Sequence, residues 1–163
     1  MPRIILRFIR TPGFITSGIC WDTNSRFDHA EFGVEQKGLI TGWLGAHAWH
    51  GVQLRAPDYC KPTFERRYAI PVTQNQYDAW HKYAFGAIGT GYNFKDILGL
   101  LIRARGMSSP HKLICSQFCI DGMYAAGIVM LNVLPARTYM VTPEMLHLST
   151  VLIGRGMPSA PYA

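Results

Sequence analysis

The chain has 163 residues, of which 48% are hydrophobic and 16% charged, and its net charge is +6. That balance belongs to a single globular domain with one core and excludes a disordered or low-complexity chain. No apolar run approaches the ~18–20 residues of a membrane-spanning helix. The basic and apolar stretch from Met1 to Arg10 lacks the h-region and the small-residue cleavage site of a signal peptide.

In chain order, Ile4 to Ile9 reads as a first β-strand, ended by the Thr11-Pro12-Gly13 turn. Phe14 to Trp21 is a second apolar stretch, helix or strand. Asp22 to Ser25 is a turn cluster. The next strand is Phe27 to Val34. Period-two alternation places His29, Glu31 and Gly33 on one side of it and Ala30, Phe32 and Val34 on the other. Glu35 to Gly38 reads as a hairpin turn, and Leu39 to Ala46 as the returning strand. Gly51 to Arg55 and Glu65 to Ile70 are further strands, each stopped by a proline soon after.

The second half is helical in pattern. Thr73 caps a helix over Gln74 to Ile88, with Tyr77, Trp80, Ala84 and Ile88 on one face and Gly89 and Gly91 ending it. Asn93 caps another, in which Phe94, Ile97, Leu98, Leu101 and Ile102 form an apolar stripe. The stretch from Lys112 to Met123 opens a buried helix with Cys115 in its first turn and Gly127 as its stop. Thr142-Pro143-Glu144 starts a last short helix, and residues 154–163 read as a loose tail. Strands early and helices late define an α+β domain, an antiparallel sheet packed on helices. Residues 1–150 form that domain and 151–163 the C-terminal tail.

Two features carry chemistry. A thiol at a helix N-terminus lies among unpaired backbone N–H groups and the positive end of the helix dipole, which favours its thiolate. A cysteine nucleophile also needs a base that takes a proton and returns it. Of the six histidines, His29 stands in a strand, which aims an imidazole better than a loop does. On residues alone, the first reading of Cys115 is a small buried apolar side chain and that of His29 a structural strand histidine. The four cysteines, Cys20, Cys60, Cys115 and Cys119, show neither a C-x-x-C pair nor zinc spacing, so reduced intracellular thiols are expected and no metal or cofactor. Cys119, one helical turn after Cys115, is in poor geometry for a disulfide with it and is expected in the core. The basic clusters Arg66-Arg67 and Arg103 with Arg105 carry no nucleic-acid motif, and a solvated face is expected.

Five segments in order resemble one family. They are Asp28-His29-Ala30-Glu31-Phe32-Gly33-Val34, Gly45 to Arg55, Gly91 to Gly99, Leu113-Ile114-Cys115-Ser116-Gln117-Phe118-Cys119, and Thr142-Pro143-Glu144-Met145-Leu146. Together they resemble the circularly permuted papain-like hydrolases, the YiiX-type and lecithin:retinol-acyltransferase-like branch of the NlpC-type superfamily. The flavour of the motifs is that of small hydrolase-like proteins of tailed phages (bacteriophage). The likeness spans about residues 4 to 148.

The resemblance implies a circularly permuted papain-like fold and a cysteine peptidase (thiol protease) centre. Cys115 would be the nucleophile and His29 the base. The Cys115 backbone N–H would hold the oxyanion, with Tyr92 a further candidate there. The third residue is expected on the strand after the histidine, where no carboxylate occurs. His47 is placed first by type, and Glu31 is the alternative, ~6.5–7 Å along the backbone from His29. Gln117 stands where some relatives carry glutamate.

The implied reaction is cleavage of an amide, a peptide or peptidoglycan-like substrate, through a thioester acyl-enzyme. Two alternatives stand beside it: a non-enzymatic structural or virion-assembly module on the same fold, and a lipid thioesterase or acyltransferase. Neither nucleic acid nor a membrane span is expected. The expected place is the bacterial host cytoplasm or the virion, with no secretion by a signal peptide.

Overall fold

The computed structural model describes residues 1–12, 25–47, 50–92 and 112–157. The segment from Phe14 to Trp21, the turn residues 22–24, Trp49, the apolar stripe from Phe94 to Ile102 and the cluster Arg103 with Arg105 lie outside them.

Strand β1 is Arg3–Arg10, β2 His29–Gln36, β3 Leu39–His47, β4 Gly51–Arg55 and β5 Phe64–Pro71. With β8, Gly156–Met157, they form a six-stranded sheet in the order β4-β3-β2-β1-β5-β8. Every pairing in it is antiparallel. Two short strands, β6 at Gly91–Tyr92 and β7 at Lys112–Leu113, pair in parallel beside it. The helices among the described residues are α1 (Gln74–Gly86), α2 (Cys115–Ala125) and α3 (Pro143–His147), with 3-10 turns at Pro135–Met140 and Thr150–Leu152. The fold is thus α+β, a six-stranded antiparallel sheet with helices packed on it. None of these helices is long and apolar enough to cross a membrane.

The alternation in β1 and β2 decides which face meets the helices. Ile4, Leu6 and Phe8 of β1 and Ala30 and Phe32 of β2 are fully buried in one cluster with Trp80 and Ala84 of α1 and Phe118, Cys119, Ile120 and Met123 of α2. Phe32 lies at its centre, edge-on to Trp80 at 5.3 Å and to Phe118 at 5.4 Å between centroids. Burying a side chain of that size contributes about 1.5–3 kcal/mol. Gly122 allows this approach, because a Cβ there would stand 2.9 Å from the Phe32 ring.

The other face of the sheet carries Ile5, Arg7 and Ile9 of β1, Glu31 of β2 and Trp43 of β3, all buried as well. The segment between β4 and β5 contributes cover there, through Trp43 Nε1 donating to the Pro57 carbonyl at 3.1 Å and Tyr59 Oη donating to Glu31.

Helix α1 begins in a capping box: Thr73 Oγ1 accepts from Gln76 N–H and Gln76 Oε1 accepts from Thr73 N–H. It ends at Gly86, two residues before Ile88, and Ile88 is exposed instead of continuing the buried face. The chain turns at Gly89, whose φ is +89°. Residues 89 and 90 then cover the outer edge of β4, with Val52 N–H donating to Thr90 O and Gly89 N–H to Val52 O. Where the sequence reads a loose tail, Gly156–Met157 adds a strand to β5.

Candidate active site

The β2–β3 hairpin closes on Lys37 and Gly38, both at positive φ, 50° and 82°. Next to the turn, Gln36 pairs with Leu39 and Glu35 with Ile40. One step further Val34 pairs with Gly42, so Thr41 is an extra residue in β3. Phe32 then pairs with Leu44. Carried on at that register, Glu31 falls opposite Gly45 and His29 opposite His47. Opposite residues of an antiparallel pair share a face. The two imidazoles accordingly lie ring to ring, 4.8 Å between centroids and tilted by 34°.

Glu31 sits between them. Its Oε2 is 3.5 Å from His29 Nε2 and 3.9 Å from His47 Nε2. Both contacts are longer than an ordinary hydrogen bond, and neither Nε2 has a hydrogen-bond partner. Glu31 is fully buried and held from behind. Arg7 Nη1 donates to its Oε1 at 2.9 Å, and Tyr59 Oη donates to its Oε2 at 2.9 Å. Arg7 Nη2 also donates to Glu65 Oε2 at 3.2 Å, and Glu65 in turn accepts from Arg67. The Trp43 ring lies under both guanidiniums, 4.3 Å from Arg7 and 4.9 Å from Arg67. Gly45 leaves room for the cluster: a Cβ there would be 2.9 Å from Glu31 Cβ and 3.2 Å from His29 Nε2.

Cys115 is the first residue of α2 and is 5% exposed. The start of α2 has no side-chain cap at Ile114, so its first N–H groups have no capping side chain. Ser116 donates its hydroxyl to the Val141 carbonyl and pins the helix start. The Cys115 sulfur lies near enough to the His29 imidazole to raise its pKa.

Burial by itself would lower the basicity of His29. The Cys115 sulfur and the Glu31 carboxylate beside it outweigh burial and raise its pKa to about 10. His47 goes the other way, to about 2, because of burial and then the positive charges of His29, Arg55 and His50. The two facing histidines are thus shifted in opposite directions. Burial raises the Tyr59 phenol, with Glu31 adding to it, so Tyr59 remains a donor. Cys119, fully buried, has its thiol raised well above the ordinary range by burial and packs in the core as a neutral side chain.

The structure therefore brings His29, Cys115, Glu31 and His47 together, with Glu31 the group nearest His29 Nε2. Tyr92 lies in β6 beside β7, but its side chain is outside what the structure describes. Gln117 Oε1 is buried without a partner.

The sequence reading missed Arg7 and Tyr59. A signal for Arg7 was present: it is an arginine between Ile5 and Ile9 on one side of an apolar strand, and a buried charge requires a partner. Tyr59 lies in a loop, and nothing local marks it.

By donor type, His29, Glu31 and His47 form a set that could hold a metal ion, with their donor atoms within 4.8 Å of one another. No family model matches the sequence. A search of curated proteins also gives no match.

Proposed function

We propose that this protein is a cysteine-dependent hydrolase that cleaves an amide bond through a thioester acyl-enzyme. One observation carries the reading: the Cys115 thiol, at the uncapped start of α2, lies beside an imidazole backed by a buried carboxylate, and its sulfur raises the pKa of that imidazole. With Nε2 of His29 turned to Glu31, Nδ1 is the ring nitrogen left for the thiol. Glu31 has the place of the orienting third group and His47 stands behind it. This arrangement supports the papain-like resemblance, which is part of the same proposal.

The steps balance as follows. His29 takes the Cys115 proton, and the sulfur attacks the substrate carbonyl carbon. The oxyanion is held by backbone N–H groups at the helix start. The C–N bond breaks as His29 gives its proton to the leaving amine. Water then attacks the thioester while His29 takes one of its protons. The acid leaves and the thiol is restored. A peptide, including a cell-wall peptide, is the substrate class the resemblance favours.

The test is labelling with a thiol-directed activity probe near neutral pH. Labelling at Cys115 that disappears in His29→Ala supports the dyad. A folded protein whose Cys115 resists the probe overturns the reading and leaves the non-enzymatic module. Release of peptide from peptidoglycan, against release of fatty acid from a lipid ester, separates amidase from lipid thioesterase.

A further inference from the structure

We infer that His29, Glu31 and His47 form a binding site for a divalent transition cation of the zinc class, and that the bound ion holds the cysteine centre inactive. The second half of this statement rests on the hydrolase reading, and the first does not.

Three observations carry it. Both Nε2 atoms are buried without a hydrogen-bond partner and converge on one carboxylate oxygen. The His47 side chain is 8% exposed, so water does not compensate its nitrogen. The space between the rings is kept open by glycine: a Cβ at Gly45 would lie 3.2 Å from His29 Nε2 and 3.5 Å from His47 Nε2.

Two histidines and one glutamate are a recurrent zinc donor set, leaving a fourth position for water or another ligand. Bonds of about 2.0–2.1 Å in a tetrahedron set donor atoms ~3.3–3.4 Å apart. The two histidine-to-glutamate distances, 3.5 and 3.9 Å, are close to that, and small side-chain rotations bring in the third. The outer shell is already built. Tyr59 donates to the liganding oxygen and Arg7 to the other one, which orients the carboxylate toward the rings. Arg7 and Arg67 are balanced by Glu31 and Glu65, while Arg55 and His50 add positive charge beside His47 that a bound cation has to overcome. Cysteine spacing could not reveal this site, because its ligands come from two strands and none is a thiol.

An ion on His29 Nε2 takes the place of the proton between that nitrogen and Glu31. The imidazole can then no longer become doubly protonated, and it ceases to serve Cys115 as base.

The test titrates metal-free protein with Co2+, read by the visible absorption of tetrahedral Co2+, and with Zn2+ by calorimetry. One ion per chain is expected. His47→Ala should abolish it, and Tyr59→Phe should weaken it about 10- to 100-fold. His81→Ala, an exposed histidine on α1, should leave it unchanged. Equal binding by wild type and His47→Ala, or no binding by the folded wild type, overturns the site. Alkylation of Cys115 is followed in parallel: one equivalent of Zn2+ should stop it and a chelator should restore it. Alkylation that continues unchanged with Zn2+ bound overturns the braking role. If the metal-free protein is not alkylated at all, the hydrolase reading and the braking role fall, and the Co2+ spectrum still decides the site.

Discussion

Arg7 Nη1 donates to Glu31 Oε1 over 2.9 Å, and neither side chain is exposed. The pair is buried in the sheet face away from the helices, with Glu65 as a second partner of Arg7 and Tyr59 as a second donor to Glu31. Removing one partner of such a pair costs about 3–5 kcal/mol, because the remaining charge is left uncompensated. Arg7→Ala is therefore expected to lower unfolding free energy by that amount in urea titration. A loss below about 1 kcal/mol, the scale of an exposed pair, would contradict it.

Gly45 tests the packing of the cluster. The methyl group of Gly45→Ala would push into Glu31 Cβ and His29 Nε2. Overpacking of this kind costs about 1–3 kcal/mol, so the variant should still fold. Displacing the base by part of an ångström should slow alkylation of Cys115 about 10- to 100-fold. Circular dichroism and the alkylation rate together check this. A folded variant with the wild-type rate would show that the cluster does not serve the thiol.

Two glycines predict opposite signs. Gly51 has φ +72°, and a Cβ there would stand 2.1 Å from the Thr90 carbonyl oxygen. Gly51→Ala should destabilise by more than about 1 kcal/mol, by forcing residues 89 and 90 off the edge of β4. Gly86 ends α1 on the exposed side with nothing within 4 Å of a built Cβ. Gly86→Ala should stabilise by about 0.4–1 kcal/mol, through the entropy of the unfolded chain. Thermal melts of both variants under the same buffer decide the signs.

Asp121 on α2 gives a pH dependence. Burial raises its carboxyl from 3.8 to about 6, with the Thr138 hydroxyl opposing. The folded state thus binds this proton more tightly than the unfolded state. The group stabilises the fold fully below pH 3.8, and that contribution is lost as the pH rises through 6. Asp121→Asn should therefore be more stable than wild type at neutral pH, on the order of 1–2 kcal/mol after solvent screening. The difference should shrink toward zero near pH 4. A constant difference across that range would rule out the titration of Asp121 as its source.

Much of the scaffold was legible from local pattern. The turn at Lys37-Gly38, the Thr73 cap and the proline start of α3 are each written in a few adjacent residues, and the structure has them there; the cysteine helix begins at Cys115, after the strand Lys112–Leu113, instead of at Lys112. The alternation in β2 also assigned His29 and Glu31 to one face, since side-chain direction in a strand follows position alone. Apolar spacing carries α1 on to Ile88, whereas the helix ends at Gly86 and Ala87 and Gly89 turn the chain.

The sequence alone therefore settled the α+β class, the cysteine at a helix start and the histidine on a strand, because caps, turns and periodicity are short-range. Only the tertiary structure decided that His29 faces His47 across Gly45. One extra residue at Thr41 shifts the register, and a shift by one turns every side chain of a strand to the other face. That shift is selected by burial of two whole strand faces, and no single residue records it. The same holds for Arg7 and Tyr59 behind Glu31, which meet it from 24 and 28 residues away in the chain.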